Sequence, residues 1–358
     1  MSVKNEDLPQ SITTMPALIY SGPSKSLQLA RRPVPRLVRD SDVLVRVVAT
    51  GICGTDRGIV MGTFPAVDGV ILGHEAVGIV EEVGKSVSSL QTGDRVVINP
   101  TYACGECRQC RRDAAAYCSG KEGREVGVDC DGAMAGFILL PETSILRIPD
   151  EMSFRRATQI EPLACVLNNL SAIAPRHGDR IFVFGAGPIG TLCAYVLATR
   201  GFHVHIVEKD ERRADIARDA LDALTPSHVA VSIAPPNGER PDVIIDSVGW
   251  LLEEALGLIG EGGTVLIMGE REGVEARVPL RPLVTRGVRI VGAGPYSPQD
   301  FELAAQLAQD LPLERFITDE APLERFVDAF GMLAAGPEST GGYRALKVLL
   351  VSDERSLS

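Results

Sequence analysis

Three groups of residues in this chain have the types and spacing that chemistry needs. The first is a run of thiols, Cys104, Cys107, Cys110 and Cys118, spaced C-x2-C-x2-C-x7-C. Four thiolates within fifteen residues can close a tetrahedral shell around one zinc ion. With all four positions filled by protein, neither water nor substrate can coordinate. The expected site is therefore structural and pins a loop with little apolar content of its own. An iron–sulfur cluster also takes four cysteines, but nothing else in the chain points to electron transfer. A disulfide framework is disfavoured because no export signal is evident.

The second group is dispersed. Cys53 lies in ATGICGTD, His74 and Glu75 in LGHE, and Glu161 in QIEPLA. Taken singly, such a cysteine is usually a small buried hydrophobe, and such a histidine has a structural role. Together they are ligand types that zinc prefers. A catalytic zinc needs three protein ligands and one open position. Glu161 is the candidate third ligand, at the junction of two regions of different texture, where ligand pockets favour forming.

The third group is Gly185-Ala-Gly187-Pro188-Ile189-Gly190, directly after the apolar run RIFVFG and opening a helical stretch. In that context G-x-G-x-x-G is a dinucleotide fingerprint. Gly185 allows the tight turn, Gly187 lets backbone approach a diphosphate, and Gly190 lets helix pack on strand. The helix N-terminus offers unpaired N–H groups to phosphate. Glu208 ends the next strand, 23 residues after Gly185. An acid there can bind both ribose hydroxyls of NAD and would repel the 2′-phosphate of NADP. Lys209, Arg212 and Arg213 lie nearby and supply basic groups for a phosphate.

The elements that must position these groups follow from the pattern. The first 150 or so residues carry short β-type runs such as DVLVRVVATG, GIVEEVG and RVVINP, separated by turn residues. TQIEPLACVLNNLSAI has helical spacing, with Ile160, Leu163, Leu167 and Leu170 on one face. Apolar strands then alternate with helices (HVHIVE, DVIIDSVG, TVLIMG, VRIVGAG), which implies a parallel sheet covered on both faces. A helix, a loop and the strand ALKVLLV close the chain. On the Glu161 helix, Cys165 and Asn168 share its side by spacing. Asn168 could bond a substrate hydroxyl or make a packing contact; Arg57 and Phe64 are similar candidates.

Composition limits the rest. The chain has 358 residues, room for about two domains. Its net charge of −11 disfavours nucleic acid, which needs clustered cations. It also disfavours reading the thiol lobe as a nucleic-acid-binding ribbon. No apolar run approaches the ~20 residues of a membrane helix. The N-terminus lacks a secretory core and reads as a polar tail. The expected location is the cytoplasm.

Taken together, GICGTD, LGHEAVGIVEEVG, TGDRVV, the four-cysteine lobe, QIEPLA and GAGPIG stand in the order of the zinc-containing medium-chain alcohol and polyol dehydrogenases, and the chain resembles them from about Pro16 to Val351. The resemblance implies an α/β protein: a GroES-like β-barrel catalytic domain (1–157 and 298–358) and a Rossmann doubly wound NAD-binding domain (158–297). It implies one catalytic and one structural zinc, and NAD in preference to NADP. Cys53, His74 and Glu161 become catalytic-metal ligands. Glu161 stands where classical alcohol dehydrogenases carry cysteine and the sorbitol- and glucose-type enzymes carry glutamate, and QIEPLACVLNN is also similar to the aminocyclitol dehydrogenases. Glu75 matches a carboxylate that ligates transiently, Thr55 the hydroxyl that takes the substrate proton, and Asp56 the acid that orients the histidine. Lys347 falls near a basic position by the cofactor diphosphate. Gly58 stands where many members have a proton-relaying histidine. The function implied is hydride transfer between NAD and a secondary alcohol of a polyol, sugar or cyclitol, in a homodimer or homotetramer. The competing readings are a simple-alcohol enzyme, a zinc-free alkene reductase, and a non-catalytic member of the same fold.

Overall fold

The computed structural model describes residues 13–112, 114–222, 224, 227–334 and 342–357. The polar tail expected over the first residues lies almost wholly outside these. Two large sheets carry most of the chain, beside a two-stranded antiparallel ribbon of Thr14–Ser21 and Ser26–Pro33. The first has seven strands. Its central strand, Asp42–Gly51, pairs antiparallel with Glu75–Val83 on one side. On the other it meets Phe137–Pro141 and, further along, the C-terminal strand Val348–Val351. Asp319–Pro322 then joins that last strand in parallel. The C-terminal segment therefore completes the sheet that the N-terminal part begins.

The second sheet is all parallel and six-stranded. Its order is Val229–Ser232, Val204–Val207, Ile181–Phe184, Val243–Asp246, Thr264–Ile267, Arg289–Gly292. In chain order that is 3-2-1-4-5-6, the doubly wound arrangement in which ligands bind where strand order reverses, beyond the strand C-termini. Ile181–Phe184 is buried along its whole length, as a strand covered on both faces must be. Each such side chain contributes about 1.5–3 kcal/mol on burial. The expected α/β class, with a parallel sheet beside a β-rich half, is what the chain forms.

The helix Ile160–Ser171 packs against the helix Pro298–Leu307 and shares one core with both sheets, through Ile160, Leu163, Phe301, Val183 and Leu349. Its first turn carries Glu161, so the sheet junction fixes that carboxyl. Among the described residues no helix is long and apolar enough to cross a membrane.

Candidate active site

Cys53 caps the short helix Gly54–Met61, and the side chain of Asp56 reaches back to accept the Cys53 backbone N–H at 2.8 Å. The other Asp56 oxygen accepts the N–H of Gly73 at 3.2 Å and lies 4.0 Å from Nδ1 of His74. One wholly buried carboxylate thus ties together the two segments that carry Cys53 and His74. Such an outer carboxylate fixes ligand orientation. Thr55 follows on the same helix, its hydroxyl 3.8 Å from the Cys53 sulfur.

Donor atoms of Cys53, His74 and Glu75 all lie within 4.8 Å of one another. Sulfur, imidazole nitrogen and carboxylate oxygen form a donor set suited to zinc. His74 Nδ1 is buried without a hydrogen-bond partner, with the Asp56 carboxylate the acid beside it. Burial pulls His74 down, but the Cys53 sulfur and Asp56 outweigh it and hold the imidazole well above its usual range. Burial, reinforced by Glu75, pushes Glu161 up, against the pull of His74. A buried centre with this much negative character calls for a cation.

Glu161 faces the same centre but stands outside the mutually close trio, where Glu75 takes the third place. Its Oε1 accepts from the Cys165 thiol at 3.5 Å. The sequence places Glu161 as a ligand and Glu75 as an occasional one; the geometry puts Glu75 inside and Glu161 beside. Lys347, expected at the cofactor diphosphate, is placed behind the trio. It is 1% exposed and its ammonium is paired with Glu75 Oε2. Burial pulls this lysine down, and Glu75 more than restores it.

The four lobe thiols converge as well. The sulfurs of Cys104 and Cys110 are 3.9 Å apart, Cys107 and Cys110 3.5 Å, Cys107 and Cys118 4.0 Å. A tetrahedron with Zn–S bonds of about 2.3 Å has edges of about 3.8 Å, so the residues fit one zinc ion. Backbone N–H groups of Cys110 and Ser119 pull Cys107 down to about 5, while burial and the Cys107 thiol push Cys110 up to about 11. Four thiols this close cannot all ionise without a cation among them.

The glycine turn follows Ile181–Phe184 directly. Gly185 has φ +96°, in the left-handed region. A Cβ on Gly190 would overlap the Gly185 carbonyl oxygen, so only glycine lets the helix Pro188–Thr199 start there. Glu208 braces this turn: its carboxylate accepts from Ala186 N–H at 2.9 Å and Asp210 N–H at 3.0 Å, with Arg213 3.6 Å away. The Arg213 guanidinium lies against Gly187 and over the Tyr343 ring, 4.3 Å from its centroid. Arg57 covers the same ring at 5.1 Å and donates to its hydroxyl at 2.9 Å. The Cys53 helix is thereby joined to the glycine turn. Tyr343 gave no sequence signal, since its partners lie 130 and 286 residues away. Asn168 spends its amide on the Gly294 carbonyl at 2.9 Å, the packing alternative. Phe64 packs into the core of the first sheet.

A three-donor centre beside a doubly wound sheet with a glycine turn defines a metal-assisted, dinucleotide-dependent dehydrogenase. Residues 39–150 match the alcohol dehydrogenase GroES-like domain and residues 188–310 the zinc-binding dehydrogenase domain. The D-xylulose reductase A of Aspergillus oryzae is 30% identical over 293 residues, covering 77% of this chain and 81% of that protein. An alcohol dehydrogenase from Thermus sp. ATN1 superposes with TM-score 0.79 at 27% identity, over 94% of this chain and 99% of that one. A thermostable alcohol dehydrogenase from Pyrobaculum aerophilum superposes with TM-score 0.82 at 26% identity and the same coverage. The chain belongs to the zinc-binding alcohol dehydrogenase family and is an oxidoreductase.

Proposed function

We propose that the chain transfers hydride between NAD, in preference to NADP, and a secondary hydroxyl of a polyol, sugar or cyclitol. The observation that carries this is the meeting of Cys53, His74 and a carboxylate at one buried centre, joined through Arg57 and Tyr343 to the glycine turn. The substrate class draws support from the D-xylulose reductase relatives. In this reading residues 1–157 and 298–358 form the catalytic domain and 158–297 the cofactor domain. Zinc at the Cys53 centre supplies the Lewis acidity that makes a hydroxyl acidic near neutral pH, and NAD at the glycine turn supplies the hydride acceptor. Asp56 holds the Cys53 and Gly73 segments in register. Lys347 neutralises Glu75. Thr55 takes the substrate hydroxyl proton, and with Gly58 where an imidazole relay would stand, that proton leaves by water or the cofactor ribose. Glu208 orients the glycine turn and keeps negative charge beside the adenosine ribose.

The test is NADH oxidation with D-xylulose beside a panel of sugars, cyclitol ketones and simple ketones. Turnover of polyhydroxylated ketones with little activity on simple ones is the expected result. Turnover of simple ketones alone would replace this reading with the simple-alcohol one. All eight cysteines are free thiols, which suits a reducing compartment, and we place the protein in the cytoplasm. We also read it as a homodimer or homotetramer. The outer parallel strand Arg289–Gly292 has one neighbour among the described strands, and the adjacent helix exposes Leu280 (71%) and Val284 (77%). A monomeric mass by light scattering at micromolar concentration would contradict this.

A further inference from the structure

The four-cysteine lobe touches more than its own sulfurs. Tyr117 stands immediately before Cys118 and donates its hydroxyl to the carbonyl of Ala293 at 2.9 Å. Its ring lies over Gly294, which has φ +69°; a Cβ there would sit 2.5 Å from the Tyr117 hydroxyl. The next carbonyl, that of Gly294, accepts from Asn168 on the Glu161 helix. Two successive carbonyls of this turn are thus held from two sides, by the lobe and by the helix of the candidate site.

The same turn leads to Tyr296, which is 2% exposed. Its hydroxyl is buried beside the Glu161 carboxyl, the Cys165 thiol and Thr101. Thr101 belongs to the strand exit that becomes the lobe, where Asn99 fixes its hydroxyl at 2.7 Å. The lobe's root and tip therefore bracket the segment 293–296. A phenol buried at the edge of the Cys53 centre is costly unless a group there pairs with its hydroxyl, and Glu161 and Thr101 are the groups placed to do so.

We propose that Tyr117 is a positioning residue: through the 293–296 turn, the metal-bound lobe sets where Tyr296 stands beside Glu161, and so sets substrate affinity. The lobe then has a role beyond stability. Its metal holds the backbone on which Tyr117 rides, Tyr117 holds Ala293 and Gly294, and these hold the phenol. Glu208, Arg213 and the glycine turn lie on other segments, so the part of the cofactor site that they form is untouched. Substrate binding weakens when the chain of contacts is cut, while the reacting centre keeps its ligands.

The substrate part of this proposal rests on the polyol reading; the backbone part does not, and the test separates them. Tyr117→Phe keeps the ring over Gly294 and removes the hydrogen bond, so the fold is retained. With D-xylulose and NADH, KM should rise about three- to tenfold, the effect of one net hydrogen bond, with kcat and the NADH Kd within about twofold. Tyr117→Ala should raise KM further. Hydrogen exchange, followed by mass spectrometry on peptides spanning 291–297, should be faster in both variants. It should be equally fast in Cys107→Ser, whose lobe cannot complete its metal shell. Unchanged exchange at 291–297 in all three would overturn the proposal whatever the substrate. Faster exchange with unchanged KM would overturn the link to Tyr296. Parallel loss of kcat, NADH affinity and metal in Tyr117→Phe would make Tyr117 merely structural. Failure of D-xylulose and every other panel ketone to react in the wild type would count against the polyol reading, with the exchange result still deciding the coupling.

Discussion

Replacing His74 with alanine should cut turnover by about a thousandfold or more and remove one of the two bound metals per chain, while NADH affinity stays within about twofold. A Lewis acid at the reacting oxygen contributes several kcal/mol, and about 4 kcal/mol corresponds to that loss. Two groups of metal-type donors are present among the described residues, Cys53–His74–Glu75 and the four thiols, and they share no residue. Emptying the first leaves the lobe intact. The glycine turn is built from Gly185, Gly187, Gly190 and Glu208, none of which touches His74, so distant effects on cofactor binding should be small. Metal content by atomic emission and NADH fluorescence titration check the two halves separately. Full turnover in His74→Ala, or loss of both metals, would refute the assignment. The same measurements on Glu75→Gln and Glu161→Gln distinguish the two carboxylates. The geometry places Glu75 in the donor trio, so Glu75→Gln should lower metal affinity more than Glu161→Gln. The reverse order would restore Glu161 to the ligand position that the sequence suggests.

That contest between two glutamates shows where sequence reading stops. The thiol spacing and the glycine turn are local: C-x2-C-x2-C-x7-C and G-x-G-x-x-G bring their own atoms together within one or two turns of chain, so composition and spacing nearly suffice. The Rossmann strands were equally legible, because a wholly apolar four-residue strand such as Ile181–Phe184 can be buried on both faces only in a covered parallel sheet. The Cys53 centre is different. Its donors come from a helix cap, a loop and the first residue of the strand Glu75–Val83, with a rival carboxylate on the first turn of a distant helix, and which carboxylate closes the trio depends on how the sheets meet. Lys347 shows the same limit: read on its strand it is a cation free to reach a diphosphate, yet packing of that strand beside Gly51 delivers its ammonium to Glu75. Tyr343 and Tyr117 carried no signal, and Tyr296 almost none. Their roles arise from contacts between segments far apart in sequence, and no periodicity encodes them. Tyr296 could have been suspected only from its place just beyond the C-terminal end of the last parallel strand, where ligands of such sheets gather.

The Lys347–Glu75 pair is where the largest stability effect should appear. Both side chains are buried, 1% and 2% exposed, and each is surrounded by other titratable groups of the centre. Removing one partner of a buried pair leaves the other charge uncompensated, at a cost of about 3–5 kcal/mol. Lys347→Met keeps the aliphatic stem against Gly51 and deletes only the charge, so the loss measures electrostatics rather than a cavity. In protein stripped of metal, urea unfolding of Lys347→Met should therefore show a stability loss near that range. In metal-loaded protein the loss should shrink, because a divalent cation among Cys53, His74 and Glu75 gives the carboxylate a second positive partner. The double variant Lys347→Met/Glu75→Gln, measured without metal, should recover much of the single variant's deficit, since two neutral side chains leave no orphan charge. A Lys347→Met protein as stable as wild type without metal would mean that Glu75 is already neutral or solvated. Equal losses with and without metal would mean that the cation never shares Glu75, and would move the third ligand to Glu161. Lysine is thus predicted to hold Glu75 in place before metal arrives, keeping one of three donors paired and aimed in a buried centre.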